Sequence, residues 1–367
     1  MRKKLRVGLI FGGRSGEHEV SIASAMSVYS ALDKSRYDVT LIAIDKAGRW
    51  LLPDPKSLLS ASDPMKVRVN GEAMSLVPFH NEQQLVPLDE PSGAGPHFDV
   101  MLPILHGTYG EDGTIQGLLE LAQIPYVGSG VLSSALGMDK EVARNLLKAA
   151  GVQTVPTLCV RRYEYSNNPT ACENRILQEM KFPFFVKPAN SGSSVGVHKV
   201  KQADTLPAAL NDAFQYDRKV LVEMGVAARE LEVAVLGNDA PEASVVGEII
   251  PHHEFYSYEA KYLIENGSSF EIPAKVSSAV TDQVRSMAIK AFQILECRGL
   301  ARVDFFLDRL SEKLYLNEIN TIPGFTKISM YPKMWEASGL PYNKLIDRLI
   351  ALAIENFEQR NKLKTTR

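Results

Sequence analysis

Two short runs hold the residues best suited to chemistry: Ala301-Arg302-Val303-Asp304-Phe305-Phe306 and Leu316-Asn317-Glu318-Ile319-Asn320-Thr321-Ile322-Pro323-Gly324. Each reads as a β-strand, and the polar stretch 308–313 between them reads as the turn of an antiparallel hairpin. Side chains alternate along a strand, so Arg302 and Asp304 share one face, and Glu318 and Asn320 share a face of the second strand. Folding about Leu310 and Ser311 brings Asp304 opposite Asn317 or Glu318, and both registers stay open. Two carboxylates and an amide oxygen then converge beside a guanidinium. Hard oxygen donors suit Mg²⁺, which keeps part of its water shell and takes further ligands from phosphates. For any single residue a solvated strand face with a salt bridge is the plainer alternative. For the group it weakens, because charges flanked closely by apolar residues need partners.

Two glycine-rich segments add to this. Phe11-Gly12-Gly13-Arg14-Ser15-Gly16-Glu17-His18-Glu19 follows an apolar strand and opens a helix, but lacks the GxGxxG spacing of a dinucleotide loop. Acidic residues at a helix start oppose a phosphate and favour an ammonium group, so Glu17 fits the amine of a small zwitterion; a turn without a ligand is the alternative. The segment from Phe184 to Val197 joins two apolar β-type runs through Asn190-Ser191-Gly192-Ser193-Ser194. It reads as a mobile hairpin loop whose small residues let backbone N–H groups approach phosphate oxygens. It is not a Walker loop, because no GK[ST] leads into a helix. Lys187 leaves the strand where its charge can reach a phosphate. Leu221-Val222-Glu223-Met224-Gly225 ends another apolar strand, and Glu230 begins the next. Such a segment can pair with an adenine edge through its backbone while a carboxylate holds ribose hydroxyls.

The elements that must position these groups fall into three regions, in an α/β and α+β chain. The first, 1–139, opens with a strand over 5–11, a helix over 20–32 and a strand over 37–44, a βαβ start that implies a parallel sheet. Residues 50–97 read as irregular decoration, and 98–105 returns as a strand ending at His106-Gly107. The second region, 140–229, begins with a helix at Met138-Asp139-Lys140 and carries strands near 154–160, 184–187, 196–200 and 220–223. The third, 230–367, holds a strand at 230–236, a long helix near 280–295, the hairpin and an amphipathic helix around 342–357.

In their order the motifs resemble the D-alanine–D-alanine ligases of the ATP-grasp superfamily. The matching runs are FGGRSGEHEVS, HGTYGEDGTIQG, GMDK, FVKPANSGSSVGV, LVEMG, RELEVAVLGN, FYSYEAKYL, ARVDFFL, NEINTIPGFT and ISMYP, spanning about residues 7 to 335. The resemblance implies a three-domain ATP-grasp ligase with a Rossmann-like N-terminal domain, forming D-alanyl-D-alanine through an acyl phosphate for peptidoglycan synthesis. ATP and two Mg²⁺ or Mn²⁺ ions are implied as cofactors. By the same resemblance Lys140 and Lys187 clamp nucleotide phosphates, the loop 191–195 with Ser194 covers them, and Lys261 is directed at the γ-phosphate. Glu223, Glu230 and the backbone near Met224 hold adenine and ribose. Asp304, Glu318 and Asn320 hold metal. Arg302 and the Gly324 N–H face the tetrahedral transition state. Glu17 holds the first substrate's ammonium group with His106 and Glu111 nearby, and Ser329 and Met330 hold the second substrate's carboxylate. Ser193, Tyr262 and Glu17 resemble a trio that ties loops of three domains over the closed site, with 254–269 as a second lid.

Two alternatives bear on function. A D-alanine–D-lactate ligase tends to carry a histidine where this chain has Tyr262. A catalytically silent binding protein would require the loss of Asp304, Glu318, Arg302 or Lys187, and all four are present. Tyr109, Ile322 and Lys327 are mild departures beside the motifs, and none removes a chemical group. Whole-chain properties agree. The 367 residues, 45% of them hydrophobic, suffice for two or three cores. Lys+Arg 41 against Asp+Glu 43 leaves a net charge of −2, with no basic field for nucleic acid or a membrane surface. Three cysteines without CxxC spacing imply a reduced compartment. The expectation is a soluble, cytoplasmic enzyme of small-molecule substrates, with a homodimer implied by the resemblance alone.

Overall fold

The structure, a computed structural model, describes residues 3–59, 67, 69–77, 84–89, 95–252 and 267–364. Lys261, Tyr262 and most of the expected lid 254–269 lie outside the described residues.

Three sheets organise the chain. In the first, β1 (Leu5–Gly12) lies between β2 (Tyr37–Ile44) and β6 (Val100–Ile104), and both pairings are parallel. The helix His18–Ala31 crosses from β1 to β2, as the βαβ reading requires. β6 is buried along its whole length, which explains its unbroken apolar sequence. The region 50–97 departs from expectation. Instead of irregular decoration it supplies β3 (Trp50–Leu52), β4 (Glu72–Leu76) and β5 (Leu85–Pro87), which extend the sheet antiparallel beyond β2. These strands are three to five residues long, too short for alternation to emerge from the surrounding Pro and Ser.

The second sheet is antiparallel, in the order β7 (Thr157–Arg161), β10 (Lys219–Met224), β8 (Phe184–Pro188), β9 (His198–Val200). The third runs β13 (Ser268–Glu271), β12 (Glu242–Pro251), β11 (Ala228–Gly237), β14 (Gly299–Asp308), β15 (Leu314–Asn320), also antiparallel.

Alternation on the third sheet separates core from chemistry. Ala301, Val303, Phe305 and Leu307 of β14 and Leu231, Val233 and Val235 of β11 pack beneath Val284, Ala288 and Phe292 of the helix Ser278–Ile294. Arg302, Asp304 and Glu232 therefore occupy the opposite face. One end of that face is closed by the helices Met330–Ala337 and Tyr342–Asn361, which share a core with Val7, Leu9 and Phe11 of the first sheet. This common core fixes the first sheet against the third, so groups at the ends of β1 and β6 face the open side of β14.

The three cysteines are free. Cys172 and Cys297 are buried, and burial pushes the Cys297 thiol up to about 12. Among the described residues no helix is long and apolar enough to cross a membrane.

Candidate active site

The hairpin's register is settled by a bulge. Arg302 pairs with Asn320 and Asp304 with Glu318, but Phe305 pairs with Leu316, leaving Asn317 as the extra residue. On strict alternation Glu318 would follow Leu314 and Leu316 into the core; the bulge absorbs one step, so Ile319 is buried there instead. On β11, Glu232 stands opposite Asp304. Glu232, Asp304 and Glu318 thus form a row across three strands.

Arg302 holds that row together. Its Nε and Nη2 donate to the two oxygens of Asp304 at 2.7 Å each, and its Nε lies 3.2 Å from Glu232. Burial works against the charge, but Asp304 and Glu232 outweigh it and raise the guanidinium's pKa well above its ordinary value. Sequence reasoning missed Glu232. Its position two residues after Glu230 on one strand was the available signal.

Lysines approach from the second sheet's side. Lys140 begins the helix Lys140–Ala149, capped by the Asp139 side chain. Its Nζ donates to the Ser191 carbonyl at 2.7 Å and lies 3.4 Å from Glu318. Lys187, on β8, lies 2.8 Å from Glu223 on β10. Burial pushes the Lys187 ammonium down to about 8 against the pull of Glu223. Burial would raise the Glu223 carboxyl, but Arg144 and Lys187 hold it below the ordinary carboxylate range. Arg144 was also missed in sequence; it lies one helical turn beyond Lys140, on the same face. The Met224 N–H is taken by the Pro156 carbonyl at 3.0 Å, and Glu230 lies on β11 opposite Phe306.

The first sheet contributes the third wall. Glu17 accepts a short hydrogen bond from the Ser193 hydroxyl, the part of the expected trio that falls among described residues. Ser193 and Ser194 both have left-handed backbones, with φ of 48° and 59°, a conformation sparsely populated by residues other than glycine and concentrated at functional loops. Two glycines let backbone close on the Glu17 carboxylate. A Cβ at Gly192 would come within 2.8 Å of it, and one at Gly107 within 2.9 Å. Glu111 accepts from the Gly107 N–H at 2.6 Å. Burial, then the charge of Glu17, pushes its carboxyl up to about 8.

His106 is more a strut than a hand. Its Nδ1 meets the Ile322 carbonyl at 2.9 Å and its Nε2 the Ser24 hydroxyl at 3.2 Å, leaving neither for a substrate. Burial lowers its pKa, so the ring is neutral, with Nδ1–H donating to Ile322 and Nε2 accepting from Ser24. The strut steadies the segment leading to Gly324. Beyond it, the Ser329 hydroxyl accepts from the Thr326 N–H at 3.1 Å, at the start of the helix Met330–Ala337. The Met330 side chain is buried in the core, so only its backbone is left to face the site. Asn320 accepts from the Ile322 N–H at 3.1 Å.

With this geometry in place, the comparisons with known proteins are decisive. The family model described as D-ala D-ala ligase N-terminus matches residues 6–129, and the one described as D-ala D-ala ligase C-terminus matches 146–351. The chain belongs to the D-alanine–D-alanine ligase family. It is 48% identical to D-alanine–D-alanine ligase A of Bradyrhizobium diazoefficiens, over 99% of this chain and 98% of that one. It is 49% identical to the Salmonella typhimurium ligase A, over 99% of each chain. Among solved structures, the Coxiella burnetii D-alanine–D-alanine ligase aligns with a TM-score of 0.84 at 40% identity, over 98% of this chain and 96% of that one. The VanG D-Ala:D-Ser ligase of Enterococcus faecalis aligns with a TM-score of 0.84 at 33% identity, over 96% and 100%. The family's ATP-grasp fold is the three-sheet α/β arrangement described above.

The donor set suits a hard cation. Asp304, Glu318 and Asn320 offer oxygens only, and in this structure Arg302 and Lys140 neutralise the two carboxylates. Among the described residues no three His, Cys, Asp or Glu side chains are grouped so that they could hold a metal ion by themselves, so an amide oxygen, water or phosphate has to complete any such site. An open set of two carboxylates and an amide leaves positions for water and phosphate, as Mg²⁺ requires.

Proposed function

We propose that this ligase joins two D-alanines, with cleavage of ATP to ADP and phosphate, to supply D-alanyl-D-alanine for peptidoglycan synthesis. The observation that carries this reading is the convergence of three walls on one site: Glu17 meets Ser193, Lys140 meets Ser191 and Glu318, and the Arg302–Asp304 pair lines the wall that carries Glu318. A carboxylate is a poor electrophile. Its oxygen first attacks the γ-phosphorus, ADP departs, and an acyl phosphate forms. The second amine then attacks the acyl carbon and inorganic phosphate leaves.

Each wall supplies one requirement. Glu17 pairs with the first substrate's ammonium group, placing its carboxylate toward β14. Lys140 and Lys187 meet the nucleotide phosphates, with the loop 191–195 above them; phosphate oxygens would hold Lys187 charged where burial alone favours the neutral amine. Glu230, the Met224 carbonyl (the N–H of that residue is held by Pro156) and the carboxylate oxygen of Glu223 not shared by Lys187 and Arg144 serve adenine and ribose. Mg²⁺, held by Asp304, Glu318 and Asn320, would neutralise phosphoryl charge. Arg302 and the Gly324 N–H stabilise the tetrahedral oxyanion, and the helix start at Ser329 and Met330 receives the second carboxylate. Enclosure keeps water from the acyl phosphate.

The test is ADP release with ATP, Mg²⁺ and a panel of D-alanine, D-serine and D-lactate, with products identified by mass. D-Alanyl-D-alanine as the main product supports the reading. A depsipeptide or a D-alanyl-D-serine product would move the second subsite's assignment; no ADP release with any of them would sink it. A cytoplasmic homodimer belongs to the same reading, and light scattering in solution checks the dimer.

A further inference from the structure

Arg144 has no role in the chemistry above, yet it is among the most heavily engaged side chains in the molecule. Only 4% exposed, it reaches three elements from the helix Lys140–Ala149. Its Nη1 donates to the Thr157 hydroxyl of β7 at 2.8 Å and, through a shorter bond, to Oε1 of Glu223 on β10. Its Nε and Nη2 donate to the Asn317 carbonyl at 3.2 and 2.9 Å, and Nη2 also to Oδ1 of Asn317 at 3.1 Å.

Asn317 is the bulged residue of the hairpin, the one with no partner on β14. Its carbonyl has no place in that ladder, and in this half-buried position Arg144 is the donor that satisfies it. Removing the bulge by slippage would set Asn317 opposite Asp304 and turn Glu318 toward the core face. Glu318 comes next in the chain, so whatever holds Asn317 sets where Glu318 points. The other end of the same guanidinium holds Glu223, whose Oε1 also pairs with Lys187.

We propose that Arg144 is a positioning residue that couples the two ends of the site, pinning the bulge that presents Glu318 while holding the Glu223–Lys187 pair. The inference rests on the reading of Glu318 as a metal-side residue and Glu223 as a nucleotide-side residue. Arginine suits the task because its planar fork can serve a carboxylate and a backbone carbonyl on different edges; lysine offers a single point charge. The Arg144 guanidinium is buried and engaged by Thr157, Glu223 and Asn317, so its effect passes through these partners, as with residues behind metal ligands whose loss costs roughly 10–100-fold.

The test uses the full chain and follows ADP release while ATP, Mg²⁺ and D-alanine are varied in turn. Arg144→Ala should raise the Mg²⁺ half-saturation and the ATP KM by roughly 10–100-fold, leave the D-alanine KM at saturating ATP and Mg²⁺ unchanged, and regain activity with added guanidinium ion. Arg144→Lys should show the same split less strongly, and it serves if the alanine variant does not fold. Wild-type Mg²⁺ and ATP dependence in a folded Arg144 variant, or a uniform loss of kcat that guanidinium does not relieve, overturns the proposal. Glu318→Gln separates this from the parent reading. If it shifts the Mg²⁺ curve and the Arg144 variants do not, only the coupling fails. If Glu318→Gln leaves that curve unmoved, the metal-side reading fails and the coupling with it.

Discussion

Two hairpins face each other across the site, and they place their chemistry in opposite ways. In the β14–β15 hairpin the working residues lie on the strands, and the turn is a small closure far from them. There Asp308 Oδ1 accepts from the Leu310 and Ser311 N–H groups at 3.0 and 2.7 Å, an Asx-type turn. In the β8–β9 hairpin the strands are short and the working residues occupy the connection, where Ser193 and Ser194 take left-handed backbones and Ser191 and Ser193 meet Lys140 and Glu17. Strands fix side-chain direction through a ladder and a packed face, which suits a constellation that must be correct before substrate arrives. A loop gives up that precision for the ability to open and close over bound substrate. The sheet hairpin holds the charges that meet the reacting centre, and the loop hairpin holds the groups that cover it.

Breaking the strand-borne side should cost most. Arg302→Lys removes the paired N–H groups that meet Asp304 and the contact to Glu232; kcat in the ADP-release assay should fall roughly 10²–10³-fold. A loss below tenfold would mean that the strand constellation is not what the reaction depends on.

The loop-borne side should respond through substrate binding. Ser193→Ala deletes the hydroxyl on Glu17, and a hydrogen bond to a charged group is worth roughly 1.5–3 kcal/mol. The D-alanine KM should rise about tenfold or more, with a smaller change in kcat. An equal fall in kcat with KM unmoved would place Ser193 in the chemical step and erase the contrast.

A smaller effect concerns the wall on which the loop closes. The Glu111 carboxyl, ordinarily near 4.5, is pushed up to about 8 by burial and by Glu17. Between those values the folded chain holds a proton that the unfolded chain releases, so Glu111 lowers stability as pH rises through that window and adds no further loss above it. Glu111→Gln should therefore gain more in Tm over wild type at pH 8 than at pH 5. A Tm difference that does not change with pH would remove the buried acid from the account.

The least effect should come from the turn of the strand hairpin. Leu310 is 91% exposed, and Leu310→Ser should change stability by less than about 0.5 kcal/mol and leave ADP release unaltered. A measurable loss of activity would show that this turn takes part in the site after all.

Much of this was legible without the fold. Alternation in ARVDFFL put Arg302 and Asp304 on one face, and the parallel start over 5–44 followed from apolar runs flanking a helical pattern. These are local signals, carried by residues a few positions apart and governed by strand and helix periods. The Glu17–Ser193 contact was named through family resemblance alone, since 176 positions separate its partners.

What the sequence determined by itself is the set of charges and the faces that carry them, because burial of the intervening Val303 and Phe305 leaves Arg302 and Asp304 only the other side. Tertiary structure alone decided which of those charges meet. The choice of Glu318 over Asn317 depends on a bulge whose extra residue is held by Arg144 from 173 positions away. The third carboxylate, Glu232, joins the row only because β11 pairs with β14. The neutral His106 and the proton on Glu111 at neutral pH follow from burial that only the packed domains create. Periodicity acts along the chain and can be read there; desolvation and pairing act between segments that the chain brings together only by folding.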